Sequence, residues 1–544
     1  MSLIKISEFN AIAEDIHLVK DVSFDVDEGK ITGIVGESGS GKSVTCMGIT
    51  KLLPKTVKIN GNVLFTKNDG KTIDLLHCNE NELTKLRGKE ISYVFQEPMT
   101  ALNPVYTCGF QVCEAILAHQ KINKNELKSK VLNLFGEVKL PDTERIFNSY
   151  PHQISGGQRQ RVMIAMALAN NPRLLIADEP TTALDASVQK SIIDLMVEMV
   201  KKRGMSMIFI SHDLNCLKSV ANHIIVMYKG QIVETGDKNK IFENPSHPYT
   251  KALMKTRPDY KNAGYILPTI SDLIGQNENG EFFEKKFEVI KRNKNLIGNK
   301  ILDVNNITKS YFKNSFFAKN KNSQAVIKGI SFSAYSNSTI GIVGESGCGK
   351  STLAKILTNL EKETSGDFKN LSTDKSKIQM VFQDPYSSLN PTITAGEAIS
   401  EPMIVNKINS KKNTKQETLK LLELTGLTAD FYYKYPHQMS GGQRQRVCIA
   451  RALSTKPSIL ILDEAVSALD VSVQSQILNL LKDLQSKLSL TYLFISHDLN
   501  IVGYMADEII ILKNGKIEEQ GKLPEILNNP QTEYTKFLIN CIYN

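Results

Sequence analysis

The stretch GIVGESGSGKS, from Gly33 to Ser43, predicts the fold around it, and it returns as GIVGESGCGKS from Gly341 to Ser351. In both copies an apolar run leads into the glycines and a helix-compatible run follows, which predicts strand, loop and helix in that order. Glycines let backbone N–H groups curl around a phosphate, and the helix N-terminus adds partial positive charge. Both stretches therefore fit the phosphate-binding P-loop pattern G-x-x-x-x-G-K-[ST].

Each predicted P-loop offers one cation and one hydroxyl to a nucleotide. Lys42 and Lys350 are expected to reach the β- and γ-phosphates, and Ser43 and Ser351 to ligate Mg²⁺. The rest of each loop is expected to hold the phosphates, through Gly36, Glu37, Ser38, Gly39, Ser40 and Gly41 in the first copy and Gly344, Glu345, Ser346, Gly347, Cys348 and Gly349 in the second.

Two apolar runs end in paired acids. LLIAD ends at Asp178 before Glu179, and ILILD ends at Asp463 before Glu464. A wholly apolar run of this length is typical of a buried parallel strand, whose carboxyl end faces the ligand crevice. Asp178 and Asp463 are predicted to hold Mg²⁺ directly or through water. Glu179 and Glu464 are predicted to polarise an attacking water.

Further repeats in the same order show that the chain is a duplicated domain. YPHQISGGQRQRV begins at Tyr150 and YPHQMSGGQRQRV at Tyr435, and FISHDLN occurs twice. From Lys42 to Lys350 the offset is 350 − 42 = 308, whereas from Gln96 to Gln383 it is 383 − 96 = 287. The first half thus carries about 308 − 287 = 21 extra residues before Gln96, and we expect them to form a loop insertion.

Length and composition favour two soluble domains. The chain has 544 residues, of which 41% are hydrophobic and 23% charged. No stretch approaches the roughly 18 apolar residues that span a bilayer, and the first residues predict no signal peptide. The eight cysteines are scattered, which favours a reducing cytoplasm. None lies between Cys216 and Cys348, so this stretch offers no cysteine ligands for an iron–sulfur cluster, and none is expected. The net charge of +9 is spread along the chain and indicates nucleic acid or an anionic membrane only weakly.

The P-loop, SGGQ, acidic pair and downstream histidine, twice in the same order, resemble the ATP-binding cassette (ABC) ATPases over nearly the whole chain. This resemblance implies an α/β fold with two tandem P-loop NTPase domains. Each would have a mostly parallel sheet core, an antiparallel β subdomain and a helical subdomain. The expected domains are 1–270 and 301–544, joined by a polar linker over 271–300.

The resemblance also implies two ATP sites shared head to tail between the domains. Gln96 and Gln383 would sense Mg²⁺ and water, and His212 and His497 would contact the γ-phosphate and orient the attacking water. Each SGGQ turn would serve the nucleotide of the other half. Site one would then combine Lys42, Ser43, Gln96, Asp178, Glu179 and His212 with Ser440, Gly441 and Gly442, and site two would combine Lys350, Ser351, Gln383, Asp463, Glu464 and His497 with Ser155, Gly156 and Gly157.

Four stretches are similar to the peptide and nickel importer branch of this family, namely FQEPMTALNP, FQDPYSSLNP, YPHQ and NPSHPYTKAL. The two ATPase subunits of that branch are fused here, as in the microcin C and glutathione importer ATPases. The resemblance implies two integral-membrane permease subunits as partners, an extracytoplasmic substrate-binding protein, and a peripheral position on the cytoplasmic face of the inner membrane. Peptides lead as the substrate, followed by glutathione, microcin-like peptides and nickel chelates. The alternative is a soluble tandem ABC ATPase acting on ribosomes or DNA, but no nucleic acid is expected as a partner.

The two sites are expected to hold adenine differently. In this family an aromatic side chain near the end of the first strand stacks on the base, and Tyr311 supplies it in the second half. Ala13 stands opposite Tyr311, at an offset of 311 − 13 = 298. Phe9 falls opposite Ile307 and is expected in the core, and His17 is the alternative aromatic contact in the first half.

Overall fold

The computed structural model describes residues 2–181, 184–278, 280–292, 296–312, 323–372, 378–408, 411–467 and 469–543. Contacts divide the chain into two units. Unit 1 contains Met1–Leu184, Val188–Lys255 and Ile270–Lys286, and unit 2 contains Asp185–Ser187, Thr256–Thr269 and Phe287–Asn544.

This division differs from the boundaries expected at 270 and 300. Thr256–Thr269 groups with unit 2, and Ile270–Lys286 groups with unit 1. The reason lies in specific contacts. Ser475 donates to the carbonyl of Thr256 and Tyr504 donates to that of Tyr265, whereas Phe282 packs edge-on against Tyr228. Residues 279 and 293–295 of the expected linker lie outside the described residues.

Unit 1 contains a six-stranded sheet in the order β10-β9-β3-β8-β7-β6, in which only β10 runs antiparallel to its neighbour. A four-stranded antiparallel sheet in the order β2-β1-β4-β5 accompanies it, and β11 pairs with β12. The strands are β1 Ser2–Ala13, β2 Ile16–Asp27, β3 Ile31–Val35, β4 Val57–Thr66, β5 Thr72–Asp74, β6 Ile91–Val94, β7 Leu174–Asp178, β8 Ser206–Ser211, β9 His223–Tyr228, β10 Gln231–Asp237, β11 Ile274–Gln276 and β12 Phe282–Glu284.

Helices complete the sequence of elements over the first repeat and the start of the expected linker. They are α1 Lys42–Ile49, α2 Glu80–Leu86, α3 Pro98–Ala101, α4 Cys108–Leu117, α5 Lys124–Glu137, α6 Thr143–Asn148, α7 Gly156–Leu168, α8 Ala186–Arg203, α9 Leu214–Val220, α10 Lys238–Glu243, α11 Pro248–Lys255 and α12 Ile270–Leu273, with 3₁₀ turns at Pro151–Gln153 and Tyr260–Asn262. Helices α4, α5 and α6 pack on one another and form the helical subdomain.

Unit 2 has the same plan. Its six-stranded sheet has the order β17-β18-β19-β15-β20-β21, and its antiparallel sheet has the order β14-β13-β16. The strands are β13 Lys300–Phe312, β14 Ser323–Tyr335, β15 Thr339–Gly344, β16 Ser365–Asn370, β17 Gln379–Val381, β18 Ile459–Asp463, β19 Thr491–Ile495, β20 Glu508–Lys513 and β21 Lys516–Lys522. The helices are α13 Lys350–Leu357, α14 Pro385–Ser388, α15 Ala395–Val405, α16 Lys411–Leu424, α17 Gly441–Leu453, α18 Val471–Leu488, α19 Leu499–Met505, α20 Leu523–Asn528 and α21 Glu533–Tyr543, with 3₁₀ turns at Ala429–Tyr433 and Pro436–Gln438.

The central strands explain the predicted fold class, which the structure confirms. Every residue of β3, β7, β15 and β18 is buried, as expected for parallel strands that are covered on both faces. The acids Asp178 and Asp463 end β7 and β18, and a single parallel strand, β8 or β19, separates each of these from the strand that leads into the P-loop. The sheet thus brings both parts of each predicted phosphate site to one edge.

The surplus residues of the first half are not the simple loop that their polar composition indicates. They form strand β5 and helix α2, and β5 extends the antiparallel sheet of unit 1 to a fourth strand. Leu75, Leu83 and Leu86 from this segment are buried in the core. The prediction was wrong because three apolar residues, spaced for one strand end and one helix face, outweigh the polar composition around them.

The first strands of the two units, β1 and β13, correspond at the offset that the sequence predicts. Glu8 and Asn306 both have positive φ at an irregularity in the strand, and 306 − 8 = 298 equals the offset between Ala13 and Tyr311. Phe9 and Ile307 follow, and both are completely buried, so the expectation that Phe9 is a core residue is confirmed.

Candidate nucleotide-binding sites

The first P-loop runs between β3 and α1 and curls around its own lysine. Gly39 and Gly41 have φ of 77° and 94°, in the left-handed region that favours glycine. Lys42 is 6% exposed, and its Nζ donates to the carbonyls of Gly36 and Glu37 at 2.7 and 2.8 Å. The ammonium group therefore sits in the concavity where the backbone pattern places a phosphate.

The second P-loop repeats this geometry. Gly347 and Gly349 have φ of 82° and 107°, and Lys350 Nζ donates to the carbonyls of Gly344 and Glu345 at 2.6 and 3.0 Å. Residue Gly344 admits no side chain, because a Cβ there would lie 2.3 Å from the carbonyl oxygen of Leu512. In the first loop a Cβ on Gly36 would lie 2.2 Å from the carbonyl oxygen of Met227.

The remaining loop residues differ at one position. Ser40 Oγ lies 3.5 Å from Lys42 Nζ, and Cys348 Sγ lies 4.0 Å from Lys350 Nζ. Both side chains are buried. Burial raises the pKa of the Cys348 thiol despite the nearby Lys350 charge, so this cysteine is a neutral substitute for the serine. The other predicted loop members, Ser38 and Ser346, lie in the same turns.

In unit 1 the acid at the end of β7 meets the serine of the P-loop. Ser43 Oγ donates to Asp178 Oδ1 at 2.9 Å, and the Tyr93 hydroxyl donates to Asp178 Oδ2 at 2.9 Å. Burial raises the pKa of Asp178, although both hydrogen bonds oppose that shift. A hydroxyl and a carboxylate in contact are hard oxygen donors, which is the chemistry that Mg²⁺ prefers.

In unit 2 the equivalent acid has fewer partners. Asp463 is 4% exposed and receives a hydrogen bond from Ser351. Its Oδ1 is buried and has no hydrogen-bond partner among the described residues. A buried carboxylate oxygen without a donor is costly, and a divalent cation or its bound water would satisfy it. The residues present therefore fit Mg²⁺, which would be held by Ser351 and Asp463 here and by Ser43 and Asp178 in unit 1.

The second acid of each pair forms a triangle with the predicted glutamine and histidine. In unit 1 Glu179 Oε2 accepts from Gln96 Nε2 at 3.2 Å and lies 3.0 Å from His212 Nδ1. Glu179 has a φ of 44°, which is uncommon for a residue with a side chain and is typical of functional sites. The carboxylate is thus oriented by two groups from different elements.

Unit 2 contains the same triangle. Glu464 Oε2 accepts from Gln383 Nε2 at 2.7 Å, and His497 Nδ1 lies 3.3 Å away. Glu464 has a φ of 48°, matching Glu179. The structure therefore brings together the predicted glutamine, glutamate and histidine in both units.

The electrostatics of the triangles favour a charged pair. Burial alone would lower the pKa of His212, but the hydrogen bond and charge of Glu179 outweigh burial and raise it. Glu464 acts in the same way on His497, whose pKa is also raised against burial. Burial would raise the pKa of Glu464, but its contact with His497 lowers it. A carboxylate held ionised beside a histidine can accept a proton from water.

The SGGQ sequences form capping boxes at the start of long helices. Ser155 Oγ accepts from the N–H of Gln158 at 3.3 Å, and Gln158 Oε1 accepts from the N–H of Ser155 at 3.1 Å. Ser440 and Gln443 make the same pair at 3.4 and 3.0 Å. These boxes fix the N-termini of α7 and α17, at which Gly156, Gly157, Gly441 and Gly442 form the first turns.

Sequence reasoning missed a tyrosine contact to each P-loop. Tyr249 of HPYT is completely buried, and its hydroxyl accepts from the N–H of Glu37 at 3.2 Å. Tyr534 accepts from Glu345 at 3.3 Å in the second unit, and 534 − 249 = 285 equals the offset from Asp178 to Asp463. The repeated segment was the available signal, since YTK follows two residues that differ between the halves, HP in the first and TE in the second.

Removing the tyrosine hydroxyl should weaken nucleotide binding. We expect Tyr249→Phe and Tyr534→Phe to lower affinity for a non-hydrolysable ATP analogue by about two- to tenfold each, because a hydrogen bond contributes roughly 0.5–1.5 kcal/mol. Titration calorimetry measures this effect. Tyr228→Phe removes a hydroxyl from the ring that packs 4.5 Å from Tyr249 and is the control. Equal affinity in all variants would contradict a role for Tyr249 in positioning the loop.

Tyr311, the residue predicted to stack on adenine, lies near the end of the first strand of unit 2, as expected from the sequence. It is 39% exposed, and Lys309 Nζ lies 5.1 Å from its ring centroid. In unit 1 Ala13 ends β1, and His17 on β2 is exposed. At this position unit 2 has an exposed aromatic ring and unit 1 has an alanine. Unequal stacking on adenine at the two sites therefore remains a prediction.

Comparison with known protein families gives two matches. The family described as "ABC transporter" matches residues 19–182 and 327–467, which include both P-loops. The family described as "Oligopeptide/dipeptide transporter, C-terminal region" matches residues 233–283, which include Tyr249. None of the described helices is long and apolar enough to cross a membrane.

Individual proteins resemble the chain over nearly its full length. It is 38% identical to the glutathione import ATP-binding protein GsiA of Salmonella choleraesuis (strain SC-B67), covering 98% of this chain and 88% of that protein. It is 41% identical to the peptidoglycan transport ATP-binding protein YejF of Agrobacterium fabrum, covering 97% and 93%. The archaeal ribosome recycling factor aABCE1, solved with stalk protein aP1, shares the fold, with a TM-score of 0.60 and 21% identity over 96% of this chain.

Proposed function

The chain belongs to the ABC transporter family and is an ATPase, and from this premise we propose that it powers the import of peptides or peptide-like small molecules. It would dock on two integral-membrane permease subunits at the cytoplasmic face of the inner membrane. An extracytoplasmic binding protein would deliver the substrate. Nucleic acid is not a proposed partner.

The match of residues 233–283 to the oligopeptide/dipeptide transporter region carries the peptide class. Two relatives are named for glutathione import and for peptidoglycan transport, and both molecules contain short peptides. The likeness to a ribosome recycling factor extends to the fold alone, at 21% identity. A soluble ATPase acting on ribosomes or DNA is therefore the less supported function.

We infer that each ATP is held between a P-loop of one half and the SGGQ turn of the other. The helix N-termini behind Ser155 and Ser440 present backbone N–H groups and partial positive charge, which favour an anion. Such a turn carries no lysine of its own, so it suits the γ-phosphate of a nucleotide that another P-loop already holds. The proposed members of each site are those that the family resemblance implies.

The triangle around each glutamate supports a mechanism for hydrolysis. Glu179 and Glu464 would accept a proton from the attacking water while His212 and His497 hold the carboxylate in place. Lys42 and Lys350 would exchange their loop carbonyls for phosphate oxygens. Mg²⁺, when bound, neutralises charge on the phosphates. Gln96 and Gln383 link the glutamates to the segments that follow β6 and β17.

The segment after Gln96 exposes apolar side chains to water, which is unfavourable unless a partner covers them. Met99, Val105, Tyr106 and Phe110 are 59%, 69%, 46% and 49% exposed, and the last two rings stack at 4.9 Å. A cluster of this kind is typical of an interaction surface. This segment follows Gln96, which contacts Glu179. A permease subunit bound here would therefore be linked to the hydrolytic site through Gln96, which supports docking at this surface.

The proposed function predicts that a charged side chain in this cluster prevents docking on the permease and abolishes transport. Val105→Glu should abolish peptide-stimulated ATP hydrolysis and uptake in vesicles that contain the permease subunits, while the hydrolysis rate of the isolated chain stays within about twofold. The side chain is 69% exposed, so the substitution should not disturb folding. Ile16→Glu, at 65% exposure on β2, is the matched control.

Two results would contradict the proposal. Uptake by the Val105→Glu variant at the parent rate would show that this surface does not dock the permease. Association of the parent chain with ribosomes, with no binding to permease subunits, would favour the soluble ATPase instead. Uptake of labelled dipeptides, tripeptides, glutathione and nickel chelates in the same vesicles identifies the substrate class.

A further inference from the structure

We propose that Tyr93 is a positioning residue for the metal-binding carboxylate of the first site, and that Met380 at the equivalent position makes the second site bind Mg²⁺ more weakly. This inference rests on the proposed Mg²⁺–ATP sites and adds a residue that the family motifs do not include. It predicts a difference between two sites whose motif residues are nearly identical.

In the first site both oxygens of the carboxylate have a donor. Ser43 occupies Asp178 Oδ1 and the Tyr93 hydroxyl occupies Oδ2, each at 2.9 Å. Tyr93 is half-buried in β6, and its ring centroid lies 4.5 Å from that of Phe95, a contact that restricts the movement of the hydroxyl. The carboxylate is therefore fixed at both ends before any cation arrives.

In the second site the corresponding donor is missing. The parallel pairing places Tyr93 beside Ile176 and Met380 beside Ile461, two residues before the respective aspartates. Met380 is buried, and a thioether has no hydrogen to donate. Asp463 Oδ1 accordingly has no hydrogen-bond partner among the described residues.

The consequence follows from how metal ligands are supported. A carboxylate that ligates a metal or its water binds better when a second residue holds its other oxygen, and loss of such a partner typically lowers metal affinity about 10- to 100-fold. Asp178 has this partner and Asp463 lacks it. Donation from Tyr93 also withdraws some charge from Asp178, and a cation would satisfy the unpartnered Oδ1 of Asp463. The proposal requires the loss of the fixed outer partner to outweigh both effects.

Binding of Mn²⁺ with a non-hydrolysable ATP analogue tests the proposal without hydrolysis. Free Mn²⁺, followed by its paramagnetic resonance signal, should reveal two classes of site that differ about 10- to 100-fold in affinity. Lys350→Ala should retain only the tight class, and Lys42→Ala only the weak one. Tyr93→Phe, which keeps the ring, should convert the tight class to a weak one.

The chain offers its own reciprocal variant. Met380→Tyr should convert the weak class to a tight one, a gain that a merely structural role for Tyr93 would not produce. Tyr106→Phe, which removes an exposed hydroxyl, is the control, and thermal unfolding confirms that each variant is folded.

Two results would overturn the proposal. If Tyr93→Phe and Met380→Tyr titrate like the parent, or the parent has a single class, Tyr93 does not set metal affinity. A parent chain that binds no Mn²⁺ in the presence of the analogue would instead overturn the proposed Mg²⁺–ATP sites themselves.

Discussion

Glu179→Gln combined with Glu464→Gln should leave ATP bound at both sites and lower steady-state hydrolysis by roughly 10²- to 10⁴-fold. A positioned general base contributes about this factor, and an amide cannot accept the proton. The amide has nearly the same shape as the carboxylate, so the loops that carry Gln96 and Gln383 should keep their positions. Phosphate release measures turnover, and retention of labelled ATP on a desalting column measures binding.

The control for this double variant is Glu198→Gln. Glu198 is exposed on α8 and pairs with Lys139 at 2.7 Å, so it carries the same chemical change away from both triangles. Its hydrolysis rate should equal that of the parent. Hydrolysis by the double variant at the parent rate would contradict the role of both glutamates as bases.

The single variants show whether the two triangles are equivalent. The contacts differ, since Gln383 approaches its glutamate to 2.7 Å and Gln96 to 3.2 Å, whereas the histidine is closer in unit 1. If both sites must hydrolyse ATP in each cycle, either single substitution should lower turnover nearly as far as the double substitution does. The effects of substituting residues that act as a unit are not additive.

The sequence predicts contacts that a local motif determines. The P-loops, the acids that end β7 and β18, and the helices behind SGGQ all lie where pattern and spacing place them, because strand, turn and helix N-terminus are set within a few residues. Gln96 and His212 meet Glu179, but that contact was implied by family resemblance and not by spacing, since the three residues lie on separate segments.

Contacts that depend on tertiary packing could not be predicted in this way. The Tyr93 hydroxyl reaches Asp178 across 85 residues of sequence, and Tyr249 reaches Glu37 across 212. Neither pair shows a spacing rule, and tyrosine in a buried strand is usually a packing residue. The misjudged insertion has the same origin, because Leu75 and Leu83 become core residues only through the sheet and helix they join.

If the sites are shared head to tail as proposed, a negative charge in one SGGQ turn should weaken ATP binding at the site of the other half. We expect Gly156→Asp to weaken binding at the Lys350 site, and Gly441→Asp at the Lys42 site, by at least about tenfold, since like charges a few ångströms apart repel by a few kcal/mol even at an effective dielectric constant near 20. An acid in the first turn stabilises a helix, so the loss should come without unfolding.

The local geometry allows these substitutions and provides a control. A Cβ on Gly156 or Gly441 would lie 3.5 or 3.6 Å from the nearest leucine side chain, which is ordinary contact. The neighbouring glycines are unsuitable, because a Cβ on Gly157 or Gly442 would lie 2.7 or 2.5 Å from a valine methyl. Gly156→Ala and Gly441→Ala therefore add the carbon without the charge and should bind ATP more tightly than the aspartate variants.

Pairs of substitutions then decide how the sites are assembled. If Lys42 and Gly441 serve one nucleotide, Lys42→Ala with Gly441→Asp damages that site twice and leaves one ATP analogue bound per chain. Lys42→Ala with Gly156→Asp damages both sites and leaves none. The stoichiometry of bound analogue distinguishes these results, since substitutions in one site are non-additive and those in separate sites add. The opposite pattern would show that each half uses its own SGGQ turn, and the head-to-tail arrangement would be wrong.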